Sequence, residues 1–101
     1  MTLATVVDNP ESHRFEILID GGVAGFSQYR IRPGKIIFTH TEIMPEFEGQ
    51  GLGGKLAGAA LDSARERGLA VAPLCPFVAA YIKRHPEYAD LVPANYQDEI
   101  G

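Results

Sequence analysis

The sequence predicts an α+β domain: a mostly antiparallel mixed sheet, a central helix entered through a glycine-rich loop, and a short C-terminal helix. Three observations carry this expectation. Strand-type runs crowd the first half of the chain, the apolar period changes to a helical one after Gly51, and a second strand-then-helix pair begins at Leu69. Phe15 to Ile19 is an apolar-rich run closed by Asp20-Gly21-Gly22, and Val23 to Ile31 follows, which reads as a hairpin on a short glycine turn. A second turn at Arg32-Pro33-Gly34 leads into Lys35 to Met44. Here Ile36, Phe38 and Met44 on one parity and Ile37 and Ile43 on the other predict a strand covered on both faces. Leu52, Leu56, Ala59, Ala60 and Ala64 then recur at helical spacing through Arg67, with Gly68 as the stop. Leu69 to Leu74 reads as a short strand. Pro76 to Arg84 reads as a short helix with proline at its first position and Pro86 just past its end, and the tail from Glu87 carries little pattern.

Composition bounds the function. The chain has 101 residues, 46% hydrophobic and 22% charged, the balance of a single packed domain spanning residues 1–101 rather than a disordered chain. There is no repeat and no linker long enough to divide it. One cysteine, Cys75, excludes an intramolecular disulfide scaffold and a Cys-rich metal module, and points to a reducing compartment. Nine Lys+Arg against thirteen Asp+Glu give a net charge of -4 and a pI near 5.2, without the basic excess that phosphate-backbone binding needs, so no nucleic-acid partner is expected. No long apolar run and no basic leader pattern is present, so the expectation is a cytoplasmic protein with no membrane partner. No His/Asp/Glu grouping has the spacing of a catalytic metal site, so no metal is expected.

The most informative stretch is Ile43-Met44-Pro45-Glu46-Phe47-Glu48-Gly49-Gln50-Gly51-Leu52-Gly53-Gly54, which sets four glycines at the mouth of a helix directly after a strand. Glycine lets the backbone approach a ligand and expose successive N–H groups, while the helix dipole adds partial positive charge at the same point. A pyrophosphate suits such a place. The loop is neither a Walker A sequence nor the dinucleotide fingerprint, which disfavours ATP and NAD. The alternative is that the glycines, with Gly58 and Ala57, only allow close packing of helix on sheet; against it, each glycine costs ~1 kcal/mol relative to alanine in a helix.

These residues resemble the GNAT superfamily of acyl-CoA-dependent N-acyltransferases, and within it the very small single-domain members. Ile43-x-Pro45-x-Phe47-x-Gly49-x-Gly51-Leu52-Gly53 is similar to that family's coenzyme A loop. The run Leu74-Cys75-Pro76-Phe77-Val78-Ala79-Ala80-Tyr81-Ile82-Lys83-Arg84-His85-Pro86 is similar to the closing motif of the small members. The resemblance covers Glu42 to Tyr88 and implies a GNAT-like fold and acetyl-CoA as cofactor. It further implies coenzyme contacts from Ile43, Gln50, Gly51, Leu52, Gly53, Gly54, Lys55, Cys75 and Phe77. It also implies that the backbone near Ile43 pairs with the pantetheine arm and that Tyr81 protonates the leaving thiolate. One departure is plain: Glu48 stands where the family usually has Arg or Gln, so phosphate binding would lean on backbone N–H groups of Gln50 to Gly54 and on Lys55.

Acyl transfer to an amine needs a base, an oxyanion donor and a proton for the thiolate. His40 and Glu42 share a face of their strand, roughly 6 to 7 Å apart, and either could take the amine's proton; the alternatives are a satisfied strand histidine and a solvated carboxylate. Cys75 precedes Pro76 and so stands at a helix N-cap, where the dipole favours a thiolate; it could accept the acyl group, contact the coenzyme's sulfur end, or simply pack. Tyr81 could equally belong to a buried stripe with Phe77, Ala80 and Arg84. Lys83, Arg84 and His85 form a basic cluster that could touch coenzyme phosphates but reads better as a solvated helix end, and His13 reads as a loop residue.

The leading expectation is an acetyl-CoA-dependent N-acetyltransferase acting directly on a primary amine, with a small-molecule or lysine-type acceptor. The alternatives are a coenzyme A-binding module without turnover and, more remotely, a hydrolase using Cys75 with His40 or His85. A chain this short leaves room for a homodimer that completes the cleft.

Overall fold

The computed structural model describes residues 3–100 and opens with an element that the sequence pattern does not announce. β1 (Ala4–Asn9) is an edge strand of mixed exposure that pairs along the full length of β2 (Arg14–Ile19). With few buried side chains of its own, it takes its place from pairing, not from a pattern. β2 turns into β3 (Gly22–Arg32) through Asp20 and Gly21, at φ 51° and 81°. Two consecutive left-handed residues match the twist of the strands they join, as the Asp-Gly pair predicts. β4 (Lys35–Ile43) follows a turn at Gly34, and the four strands form an antiparallel run in chain order.

α1 (Leu52–Glu66) then crosses the sheet and returns the chain to β5 (Ala70–Pro73), which lies parallel to β4. Of the apolar stripe read from the sequence, Leu52, Leu56, Ala60 and Ala64 are buried and Ala59 only half-buried; Leu61, outside that reading, is buried with them, and together they join Phe15, Ile17, Ile36 and Phe38 in one core. Gly68, at φ 67°, ends the helix as expected. α2 (Pro76–Arg84) adds Val78 and Ile82 to the same core. Two short 3-10 turns, Pro86–Leu91 and Ala94–Glu99, follow. The first is tied to α1 by the Arg65 guanidinium, bidentate to Asp90 at 2.8 and 2.9 Å. The second packs on β5, with Tyr96 accepting from Lys35 at 3.3 Å. The family's expected architecture, a mostly antiparallel mixed sheet with a central and a C-terminal helix, is the one present.

One element needs correction. β4 is not covered on both faces throughout. Ile36 and Phe38 are buried beneath α1 and α2, and Ile37 is half-buried on the other face beside Ala72, where the tail packs. Past Thr39 the outer face opens, and His40 and Glu42 are exposed. Among the described residues, no helix is long and apolar enough to cross a membrane.

Two tyrosines bind the fold to pH. Tyr29 is buried and donates to Asp8 Oδ1 at 2.6 Å; burial first, and the Asp8 carboxylate second, push its phenol from 10.0 to about 12. Tyr88 donates to Asp62 Oδ1 at 2.7 Å, and this bond, with burial, pushes it to about 12 as well. A phenol raised in the native state contributes stability that is fully present below its unfolded value, about pH 10, and is lost as pH rises through the folded value near 12. Denaturant unfolding followed across that alkaline window is expected to show falling stability, with a shallower fall in Tyr29→Phe. Equal slopes in the two proteins would contradict this.

Candidate active site

The site begins with one extra residue in β4. Tyr29 pairs with Phe38 but Gln28 pairs with His40, so Thr39 is a bulge with no partner in β3. Such an insertion reverses the parity of everything beyond it. Ile36 and Phe38 face α1, and after the bulge Thr41 and Ile43 take over that face, while His40 and Glu42 turn to the open side. The parallel partner ends early as well. β5 stops at Pro73, opposite Phe38, and the chain leaves into α2 with Cys75 N–H donating to Phe38 O at 2.9 Å. Residues 39–43 therefore have no neighbour strand on the β5 side. Met44 N–H donates to Ala24 O in β3 at 2.8 Å; by strand alternation, the N–H groups of Ile43 and Thr41 point the other way, into the gap.

The glycine loop closes the other side of this gap. Pro45–Phe47 forms a 3-10 turn, Gly49 and Gly51 sit at φ 84° and 76°, and α1 starts at Leu52 with Gly51 as its N-cap and no capping side chain. The first N–H with a helical partner is that of Lys55, to Gly51 O at 3.3 Å. The N–H groups of Leu52, Gly53 and Gly54 thus point out of the helix end, a ready anion cradle. A cleft of about 400 Å³ lies before them, between β4 and α2. Ile43, Phe47, Leu52 and Phe77 make its apolar wall, Thr41 supplies a hydroxyl, and among the described lining residues Glu48 is the sole charged group. The geometry suits a ligand with an anionic end at the helix and a slender, mostly apolar arm along β4.

The glycines divide into two kinds. Gly49 and Gly51 meet nothing within 4 Å of an added Cβ and are required by their positive φ, whereas Gly53 and Gly58 leave room for the Phe77 ring and the Tyr81 hydroxyl of α2. Backbone conformation thus requires the first pair and helix packing the second.

Of the residues proposed for the coenzyme, Ile43, Gly51, Leu52, Gly53, Gly54 and Phe77 come together around this cleft. Others are placed elsewhere. Lys55 turns its ammonium to Ala4 O of β1, so the loop keeps its main-chain donors and gains no side-chain cation from this residue. Gln50 is exposed and outside the lining. Tyr81 sits one turn beyond Phe77, against Gly54 and Gly58, with its ring stacked on His85 at 4.1 Å between centroids. Burial, then the carboxylates of Glu87 and Asp62, push its phenol up, and it does not line the cleft. Cys75 is 2% exposed and lies behind the cleft wall.

His40 and Glu42 do meet. His40 Nε2 and Glu42 Oε1 are 3.2 Å apart on the open face, about half exposed. Phe26 lies beside His40, its ring centroid 6.0 Å away, and the Arg14 guanidinium covers Phe26 at 4.6 Å. The pair and the cleft are on opposite faces of β4, joined by the gap where β5 has ended.

One residue escaped the sequence reading. Thr41 Oγ1 lies 2.9 Å from Ser27 Oγ and 3.3 Å from Cys75 Sγ. The row draws on β3, β4 and the α2 N-cap. The sequence signal was the alternation in His40-Thr41-Glu42-Ile43, but the bulge that aims Thr41 inward belongs to the pairing alone. A search of the curated proteins found no match. The model of a family described as GCN5-related N-acetyl-transferase matches residues 14–91, a span that holds β2 through α2, the glycine loop and the split between β4 and β5. The chain belongs to the GCN5-related N-acetyltransferase family.

Proposed function

We propose that this protein is an acetyl-CoA-dependent N-acetyltransferase that passes the acetyl group directly to a primary amine. The observation that carries the reading is the cleft between the unpaired edge of β4 and the uncapped N-terminus of α1, which offers three outward N–H groups to a diphosphate and an apolar lane to a pantetheine arm. Acetyl-CoA, when bound, would supply the activated thioester. The N–H groups of Leu52, Gly53 and Gly54 hold its phosphates, and the edge N–H groups of Thr41 and Ile43 orient the arm and stand ready for the oxyanion. The amine approaches from the open face, where His40 and Glu42 take its proton directly or through water. The net charge of -4 and the carboxylate of Glu42 favour a cationic acceptor such as a lysine side chain or a polyamine. The buried free Cys75 suits the reducing cytoplasm.

Calorimetry and thermal shift with coenzyme A test the cleft, since ligand at ~100 times Kd stabilises the fold by about 2.7 kcal/mol. Thiol release from acetyl-CoA across a panel of amines tests the chemistry. His40→Ala and Glu42→Ala are each expected to lower kcat/KM about a hundredfold, with coenzyme affinity kept. No binding by the wild type would overturn the reading. Glu48, a carboxylate at the anion end of the cleft, favours a second one: a coenzyme A-binding module without turnover. Binding with no thiol release from any amine would select it.

A further inference from the structure

The hydroxyl row behind the cleft has one proton left over. Ser27 is fully buried, and Thr41 Oγ1 is the side-chain partner of its hydroxyl. Among the described residues no buried side-chain oxygen or nitrogen lacks a partner. Either hydroxyl could donate across this contact, but the arrangement that gives the fully buried Ser27 proton an acceptor is the one in which Ser27 O–H donates to Thr41 Oγ1. Cys75 S–H also donates to Thr41 Oγ1, at 3.3 Å. Thr41 therefore receives two hydrogen bonds from behind. Its own O–H is free of both neighbours, and Thr41 is the sole hydroxyl among the described lining residues.

From this accounting we infer that Thr41 is the hydrogen-bond donor to the coenzyme's sulfur, an assignment that rests on the acyltransferase reading above. Tyr81, the donor that the resemblance implies, packs against Gly54 and Gly58 a full turn from Phe77 and does not line the cleft. Thr41 instead stands beside Ile43 on the face that β4 turns to the cleft, in an otherwise apolar wall where a hydrogen bond to charge is strong. Ser27 and Cys75 act as positioning residues, fixing the direction of the Thr41 proton. The donor keeps its proton. The new C–N bond forms as the C–S bond breaks with its electron pair left on sulfur. The amine's proton leaves toward His40 and Glu42, and solvent returns one to the sulfur.

The test reads the coenzyme's thiol without turnover. Bound coenzyme A is titrated by ultraviolet thiolate absorbance, with the protein alone subtracted so that Cys75 cancels. In the wild type the bound thiol is expected to ionise at lower pH than in Thr41→Val, by about tenfold in its acid constant. Thr41→Ser, which keeps the hydroxyl and the buried row, is expected to match the wild type within threefold. Thr41→Val should keep coenzyme affinity within about threefold, because the diphosphate grip is main-chain, and lose about tenfold in kcat. Equal ionisation of the bound thiol in wild type and Thr41→Val overturns the inference while leaving the acyltransferase reading in place. Absence of coenzyme binding by the wild type overturns both. If Thr41→Val fails to fold, Thr41→Ser against Ser27→Ala decides: the first is expected to retain the shift and the second, with Thr41 free to turn, to lose part of it. Identical titrations in these two also overturn the inference.

Discussion

Gly54→Asp is expected to abolish coenzyme A binding while leaving the fold as stable as before or more so. Gly54 is the third residue of α1, where a carboxylate is favoured by the helix dipole and can accept from the exposed N–H groups, and where replacing glycine also gains helix propensity. An added Cβ meets only Tyr81 Cε2, at an ordinary 3.6 Å. The protein's own carboxylate thus occupies the cradle. Losing two or three charge-assisted hydrogen bonds at about 1.5–3 kcal/mol each predicts affinity at least a hundredfold weaker by calorimetry. The value of this variant lies in its opposite signs, because an unfolded mutant also fails to bind, whereas this one should melt no lower than the wild type. Unchanged affinity would mean that the diphosphate sits somewhere other than the α1 N-terminus.

The second large effect is on stability. Gly25 is buried in β3 directly opposite Ile43, and an ideal Cβ there would stand 2.7 Å from Glu42 O and 3.3 Å from Ile43 Cα. Unlike Gly53 and Gly58, whose neighbours are ring tips able to swing away, Gly25 faces backbone. Gly25→Ala must push β3 and β4 apart at the strand that carries the site. A cost of about 3 kcal/mol is expected, or a fall of roughly 10–20 °C in Tm for a domain of this size. A fall below about 3 °C would show that the strands have room to give.

The two glycine substitutions also mark where sequence reading stops. The run from Gly49 to Gly54 announced its helix-mouth role because positive φ and missing side chains are local properties. Gly25 announced nothing, since its need is set by the residue across the sheet. The same holds elsewhere. The Asp20-Gly21 turn and the stripe Leu52, Leu56, Ala59, Ala60 and Ala64 are local signals, and apart from the half-buried Ala59 they are where the pattern put them. β1 lacks a pattern because an edge strand of mixed exposure needs none, and the tail from Pro86 to Glu99 is built of 3-10 turns too short to have a period. Phe77 and Tyr81 share a face of α2, but four residues is ~6 Å along the axis. That distance separates a ring in the cleft from one packed on Gly58.

By itself, then, the amino-acid sequence determined the order of strands and helices from Phe15 to Arg84, the α+β class, the glycine loop at the mouth of the central helix, the resemblance to the family and the shared face of His40 and Glu42. Each of these is encoded within a few residues, by backbone freedom, period or chain order. Tertiary structure decided the rest: the Thr39 bulge that sends Thr41 inward and His40 outward, the early end of β5 that opens the gap beside β4, the turning of Lys55 to β1, and the meeting of Ser27, Thr41 and Cys75. These depend on register between segments distant in the chain, and register is settled by what each strand finds across from it, which no stretch of sequence contains alone.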